Sequence, residues 1–230
     1  MEHQEHVNCR NCQNASRCFQ FLYDQELDFV DNQKTQVSFM KGETVFKQGA
    51  FAPHLLYVID GLVLIYLQSG RGKCLNVCLV KPGDFLTLSP VFDRDVYQCS
   101  ARALTNASVC MIDKKAVQDL LKNNAEFASG IMARNQKHDD RFLEILSSIS
   151  FKQMRGKLAS ALLYLSSEEF EGVNVFYALS RRDIARFASI TLESAVKFIK
   201  EFEKEGLIEV QGRHIRVLDR QKLQEINDKG

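Results

Sequence analysis

The stretch Ser180-Arg-Arg-Asp-Ile-Ala-Arg-Phe-Ala-Ser-Ile-Thr-Leu-Glu-Ser-Ala-Val-Lys-Phe-Ile-Lys-Glu-Phe-Glu-Lys-Glu-Gly206 decides how this chain is read. Ser180 can cap a helix that starts at Arg181. Asp183 stands where a carboxylate reaches back to the cap's own N–H, and Ile184, Phe187 and Ala188 fall on one face. Ser189-Ile190 leaves room for a tight turn. Thr191 then caps a second helix, Leu192 to about Glu205, whose inner stripe is Ala195, Phe198, Ile199 and Phe202, and Gly206 ends it. This is helix-turn-helix spacing. Leu207-Ile-Glu-Val, the turn Gln211-Gly212-Arg213 and His214-Ile-Arg-Val217 add a hairpin, which completes a winged helix-turn-helix.

Such a unit meets double-stranded DNA by laying its second helix in the major groove, while cations around it neutralise phosphates. Thr191, Glu193, Ser194, Lys197 and Lys200 form the exposed side of that helix, and Arg181, Arg182, Arg186, Arg213 and Arg216 flank it. A carboxylate at Glu193 suits cytosine N4, and Lys197 suits guanine O6/N7 or a phosphate. A solvated helical hairpin would share some of these features. Cap, turn, inner stripe, basic flank and wing in order point instead to an operator-binding element.

Upstream, residues 36–112 are dense in β-type segments, among them Leu56-Tyr-Val-Ile, Leu62-Val-Leu-Ile-Tyr, Leu75-Asn-Val-Cys-Leu-Val and Ala107-Ser-Val-Cys-Met-Ile. Turns at Lys41-Gly42, Asp60-Gly61, Ser69-Gly70 and Pro82-Gly83 separate them. Short strands at close spacing with Gly-containing turns predict a small antiparallel barrel or sandwich. A short helix over residues 24–33 precedes it, and from about residue 113 the period becomes helical. Residues 125–148 can be written in two helical stripes. One is Ile131, Asn135, His138, Phe142, Ile145 and Ile149; the other is Met132, Gln136, Asp139, Leu143 and Leu146. Both have the alternating steps of a coiled-coil seam, and both are polar at the middle. The helix either covers the barrel or pairs two subunits through a weakened seam. Beyond it the sequence predicts a helix over residues 152–165, an acidic loop, two short helices and the terminal hairpin. The expected architecture is α+β: a Cys-rich segment (1–24), a β-barrel sensory domain (25–124), a dimerisation helix (125–149) and the winged helix-turn-helix domain (150–230).

Charged residues interrupt each apolar run, so none approaches the roughly 20 residues of a membrane span. The polar start Met-Glu-His-Gln-Glu-His has no apolar core and does not read as a secretory signal, so a cytoplasmic protein without a membrane partner is expected. Seven cysteines in such a chain fit metal or redox chemistry better than a disulfide framework, because the cytosol keeps thiols reduced. Cys9-x2-Cys12-x5-Cys18 lies in a short segment able to wrap a metal centre. Spacing does not choose a fourth ligand among Cys74, Cys78, Cys99 and Cys110. No phosphate-binding Gly loop, nucleophile elbow or paired carboxylate motif is present, so no enzyme is expected.

The whole chain resembles the Crp-Fnr family, and within it the FNR branch of oxygen-responsive regulators. The helix-turn-helix carries the family's Asp-Ile-Ala-x5-Thr-x-Glu at Asp183, Ile184, Ala185, Thr191 and Glu193. The branch ligates a 4Fe-4S cluster with three N-terminal cysteines at this spacing and one cysteine on a late barrel strand. The resemblance therefore implies Cys9, Cys12, Cys18 and Cys110 as ligands, and a homodimer on DNA with RNA polymerase as partner. Dimerisation would run through Ile131, Met132, Asn135, Gln136, His138, Asp139, Phe142, Leu143, Ile145 and Leu146, with Asp139 where the branch carries an acidic residue that opposes pairing. Cyclic AMP is not expected. Binders of that nucleotide carry Gly-Glu and Arg-Ser/Thr pairs where this chain has Thr87-Leu88 and Gln98-Cys99. The recognition helix departs from the branch's Glu-x-x-Ser-Arg, reading Glu193-Ser-Ala-Val-Lys197, and Ser189 replaces the usual turn Gly. Rival inputs are haem, through His3, His6, His54, His138 or His214, and a thiol or zinc switch using Cys74, Cys78 and Cys99.

Overall fold

The computed structural model describes residues 8–12, 19–70, 72–92 and 94–230. The chain separates into two units. One takes in residues up to 68 and 79–139, and the other residues 69–78 and 140–230. Helix α1 (Asp24–Asn32) leads into β1 (Lys34–Phe39), β2 (Thr44–Phe46), β3 (His54–Asp60), β4 (Val63–Gln68), β5 (Cys74–Val80), β6 (Phe85–Thr87), β7 (Ser100–Ala103) and β8 (Ala107–Asp113), all in the first unit except the start of β5. They form two four-stranded sheets, ordered β1-β8-β3-β6 and β2-β7-β4-β5. The β region is thus an open, jelly-roll-like sandwich, one of the two forms that the sequence predicts. The short strands β6 and β7 were not legible because three or four residues carry too little periodicity to stand out.

In the first sheet β8 is central. Gln36 pairs opposite Cys110 on one side, and Tyr57 pairs opposite it on the other. Since side chains alternate along a strand, Gln36, Cys110 and Tyr57 share one face of the sheet, and Lys34 lies on that face one step along β1. Asp113 ends β8 and begins α2 (Lys114–Asn123) by accepting from the N–H groups of Lys115 and Ala116. Asn124 then breaks the helix in an extended conformation, and its Oδ1 accepts from Phe127 N at 2.9 Å. A side-chain oxygen that satisfies an orphan N–H starts a helix, here the long α3 (Ala125–Phe151).

The second unit contains α4 (Met154–Leu165), the one-turn α5 (Val175–Ala178), α6 (Arg181–Phe187), α7 (Leu192–Lys204), the hairpin β9 (Ile208–Gln211) and β10 (His214–Val217), and α8 (Arg220–Lys229). The capping box at Ser180 forms, with Ser180 N–H and Oγ–H both donating to Asp183 Oδ2 and Asp183 N–H donating to Ser180 Oγ. Gly206 takes a positive φ of 72°, Gly206 N donates to Glu203 O and Leu207 N donates to Phe202 O, the pair of bonds that closes a helix in a Schellman turn. Of the inner stripes, Ile184, Phe187, Ala188, Ala195, Ile199 and Phe202 are buried, while Phe198 is half-buried. The sequence reading ended at the hairpin and missed α8. Asp219 caps it, and its Leu223 is buried.

Gly61 tests the tightness of the first unit. It sits at φ +84°, and a Cβ there would lie 2.3 Å from Asn106 O, whereas Gly42 at φ +93° faces open space. Gly42→Ala should cost only the left-handed strain, about 1 kcal/mol. Gly61→Ala should cost about 3 kcal/mol, because backbone overlap adds to that strain. Urea unfolding of the two variants checks the difference.

Candidate metal centre and nucleic-acid interface

Cys110 is buried in β8, in one apolar cluster with Phe19, Leu22, Tyr57, Phe85, Phe127 and Ile131, and Cys9 packs against that cluster. Burial pushes the Cys110 thiol up to about 11, with the charge of Lys34 and a hydrogen bond from Gln36 pulling the other way, and with Cys9 and Cys12 both close enough to act on it electrostatically. Burial likewise raises the Cys9 thiol against the pull of Lys34. Cys9 is held twice. Its N–H donates to Asp31 Oδ1 at 2.9 Å and its Sγ accepts from Lys34 Nζ at 3.2 Å. Lys34 also pairs with Asp31 at 2.6 Å, and its side chain is only 2% exposed.

The Lys34 ammonium thus contacts Cys9 and acts on Cys110, Cys12 is within electrostatic reach of Cys110, and Cys18 lies outside the described residues. Among the described residues no three His, Cys, Asp or Glu side chains are grouped closely enough to hold a metal ion. The donor chemistry nevertheless fits iron-sulfur ligation. Soft sulfurs converge at the edge of an apolar cluster, and a buried cation beside them is best matched by sulfur in its anionic, ligating form. Of the candidate haem ligands, His3 and His6 also lie outside the described residues. His54 and His214 each bury an Nδ1 without a hydrogen-bond partner among the described residues, and burial lowers the His138 pKa.

The Cys-bearing segment is tied to the start of α3. Asn124 Nδ2 donates to Phe21 O at 2.9 Å and to Glu26 Oε2 at 2.8 Å. The Phe19 ring meets Tyr57 edge-on at 5.5 Å, Phe85 at 5.8 Å and Phe127 in a stack at 6.1 Å. Neither Phe19 nor Asn124 stood out in the sequence, since a lone aromatic and a lone Asn carry no motif. The two α3 stripes prove to face opposite ways. Ile131 and Ile145 are buried within the chain, Asn135 and His138 are half-buried, and Met132 (66% exposed), Gln136, Asp139, Leu143 (63% exposed) and Leu146 line an open face, with Phe142 beside them. Asp139 accepts from Asn135 Nδ2 at 3.2 Å.

At the other candidate surface, Ser189 has a φ of 54°, the left-handed value that the tight turn between α6 and α7 demands, and among the described residues no other non-glycine has a positive φ. Thr191 caps α7 by accepting from Ser194 N. Arg182, Glu193, Lys197, Lys200 and Arg213 are exposed, and Ser194 is half-buried. Arg181 is engaged at home. It donates to Gly212 O at 2.8 Å and to Arg213 O at 3.3 Å, so it braces the wing turn. Arg216 is paired with Glu209.

Residues 36–124 match the Cyclic nucleotide-binding domain family, and residues 156–226 match the Crp-like helix-turn-helix domain family. The chain belongs to the Crp-Fnr family. Among its relatives, the Transcriptional activator protein FnrA of Stutzerimonas stutzeri is 25% identical and covers 94% of this chain and 91% of its own length. The Anaerobic regulatory protein of Aggregatibacter actinomycetemcomitans is 25% identical, covering 96% of this chain and 88% of its own. The solved structure of FixK2 from Bradyrhizobium japonicum shares the fold, with a TM-score of 0.76 at 20% identity, over 84% of this chain and 97% of that one. Crp-Fnr proteins are DNA-binding transcription regulators that typically dimerise, and among the described residues no helix is long and apolar enough to cross a membrane.

The side chains near the positions weighed for a cyclic nucleotide are engaged within the chain. Leu88 is buried apolar surface, Thr87 and Ser89 hydroxyls bond each other at 3.0 Å, Gln98 donates to Val96 O, and Asp84 is paired with Arg134. These groups are satisfied by the protein itself.

Asn124→Ala removes two hydrogen bonds to residues 21–26 and the cap bond from Phe127 N, and should cost about 1–3 kcal/mol. Hydrogen exchange should show the loss concentrated in residues 19–26 and the first turns of α3, leaving α6 and α7 unaffected.

Proposed function

We propose that this Crp-Fnr regulator takes its input through a 4Fe-4S cluster held by Cys9, Cys12, Cys18 and Cys110, and that occupancy of this site governs dimerisation and DNA binding. The observation that carries the reading is the meeting of Cys9 and Cys110 at one apolar cluster with Cys12 in electrostatic reach. The similarity to FnrA and to an anaerobic regulatory protein, covering nearly the full chain, supports it. When bound, such a cluster supplies a centre that oxygen or nitric oxide can attack and dismantle.

The chain's own residues translate that occupancy. Ligation by Cys9 and Cys12 tethers residues 8–12 to β8, and the tether holds Phe19 against Phe127 and Asn124 against Phe21 and Glu26. That contact fixes the first turns of α3, whose open face carries Met132, Gln136, Asp139, Leu143 and Leu146. Two such faces pair through their apolar ends and meet like charges at Asp139, so pairing is marginal and responds to small changes in helix order. A dimer sets two α7 helices about one DNA turn apart, in register with a two-fold operator. Glu193, Ser194 and Lys197 then face base edges, Arg182, Lys200 and Arg213 face phosphates, and RNA polymerase is the partner on the bound promoter. Cyclic AMP has no part in this reading, since Leu88 and Gln98 supply neither the sugar-binding carboxylate nor the phosphate-binding cation.

Anaerobic reconstitution of the wild type, Cys110→Ala and Cys99→Ala proteins tests the ligand set. Iron and sulfide near four per chain are expected for wild type and Cys99→Ala, and a loss of most of the iron together with a shift toward monomer is expected for Cys110→Ala. Unchanged iron content in Cys110→Ala would remove Cys110 from the set.

A further inference from the structure

Lys34 and Asp31 are unaccounted for by the ligand set, yet they touch it. The Lys34 ammonium is buried, 3.2 Å from Cys9 Sγ and 2.6 Å from Asp31 Oδ1. Asp31 also accepts from the Cys9 N–H at 2.9 Å. The two side chains thus clamp Cys9 at both its backbone and its sulfur. Their placement is oriented. Asp31 is 26% exposed and water screens its charge, whereas Lys34 is 2% exposed. Both groups act on the Cys9 thiol, with Lys34 the stronger, and Lys34 also acts on Cys110, whose sheet face it shares through the β1–β8 register.

Resting on the reading above, we propose that Lys34 is a positioning residue that serves as the built-in counter-cation of the sulfur ligands, with Asp31 orienting it, and so sets the reduction potential and durability of the bound centre. Four thiolates around a 4Fe-4S core carry net negative charge into a partly apolar site. A buried cation in contact with one of them offsets that charge and favours the more reduced state. Neutralising Lys34 makes gain of an electron harder, and neutralising Asp31 makes it easier. A merely structural role for the pair would move both variants in the same direction.

The test uses the full chain, reconstituted anaerobically as wild type, Lys34→Met, Lys34→Arg and Asp31→Asn. Iron content is read first, and then the midpoint of the one-electron reduction by spectroelectrochemistry, with the electrode as electron source. Lys34→Met keeps much of the side-chain volume and should lower the equilibrium constant for reduction about tenfold, a shift of about 59 mV to lower potential for one electron. Lys34→Arg should restore the wild-type midpoint, and Asp31→Asn should shift it upward. Iron-loaded Lys34→Met and Asp31→Asn proteins with the wild-type midpoint, or shifted in the same direction, would overturn the inference while leaving the ligand set intact. Iron-free wild-type protein would overturn the ligand set, and this inference with it.

Discussion

Phe19 is the contact on which the account of the first unit turns. Its ring joins the Cys-bearing segment to Tyr57 on β3, Phe85 on β6 and Phe127 on α3. Aromatic pairs of this kind add about 0.5–1.5 kcal/mol each beyond the burial they share. Residues 8–12 form a single short turn, held at Cys9 by Asp31 and Lys34 and at Arg10 by Asp28. In the proposed mechanism, a ligand that binds the ordered form of this segment stabilises it further.

The same cluster explains why a sulfur site could speak to a helix. Cys110, Phe127 and Ile131 belong to one contiguous apolar group. In the proposed mechanism, ordering at the sulfur end reaches the first turns of α3 through these packed side chains, because close-packed interiors transmit strain. Further along α3 the open face is apolar at Met132, Leu143 and Leu146 and polar at Gln136 and Asp139. In the proposed dimer, a seam of that composition gains enough to pair but not enough to pair unconditionally.

The reading half of the molecule was legible residue by residue. Ser180, Asp183, Thr191 and Gly206 each perform the capping role their chemistry dictates, and Ser189 accepts the left-handed turn that a Gly would take more easily. Local signals of this kind survive in sequence because each is satisfied within a few residues. The sensing half was legible only as a set of cysteines and β segments. Lys34 carries no motif, and its meeting with Cys9 depends on the β1–β8 register and on how residues 8–12 fold back over α1. Phe19 and Asn124 likewise owe their roles to neighbours far away in the chain. The two stripes of α3 have equal claims by period, and the burial of Ile131 and Ile145 depends on packing that no period shows.

The central claim is that the state of the sulfur site governs the association of two α3 faces. Sedimentation velocity of anaerobically iron-loaded protein, repeated on the same sample after iron has been removed by air and chelator, measures this directly. The account predicts a dimer that becomes monomer in step with loss of the visible absorption. An unchanged sedimentation coefficient after complete loss of iron would contradict it.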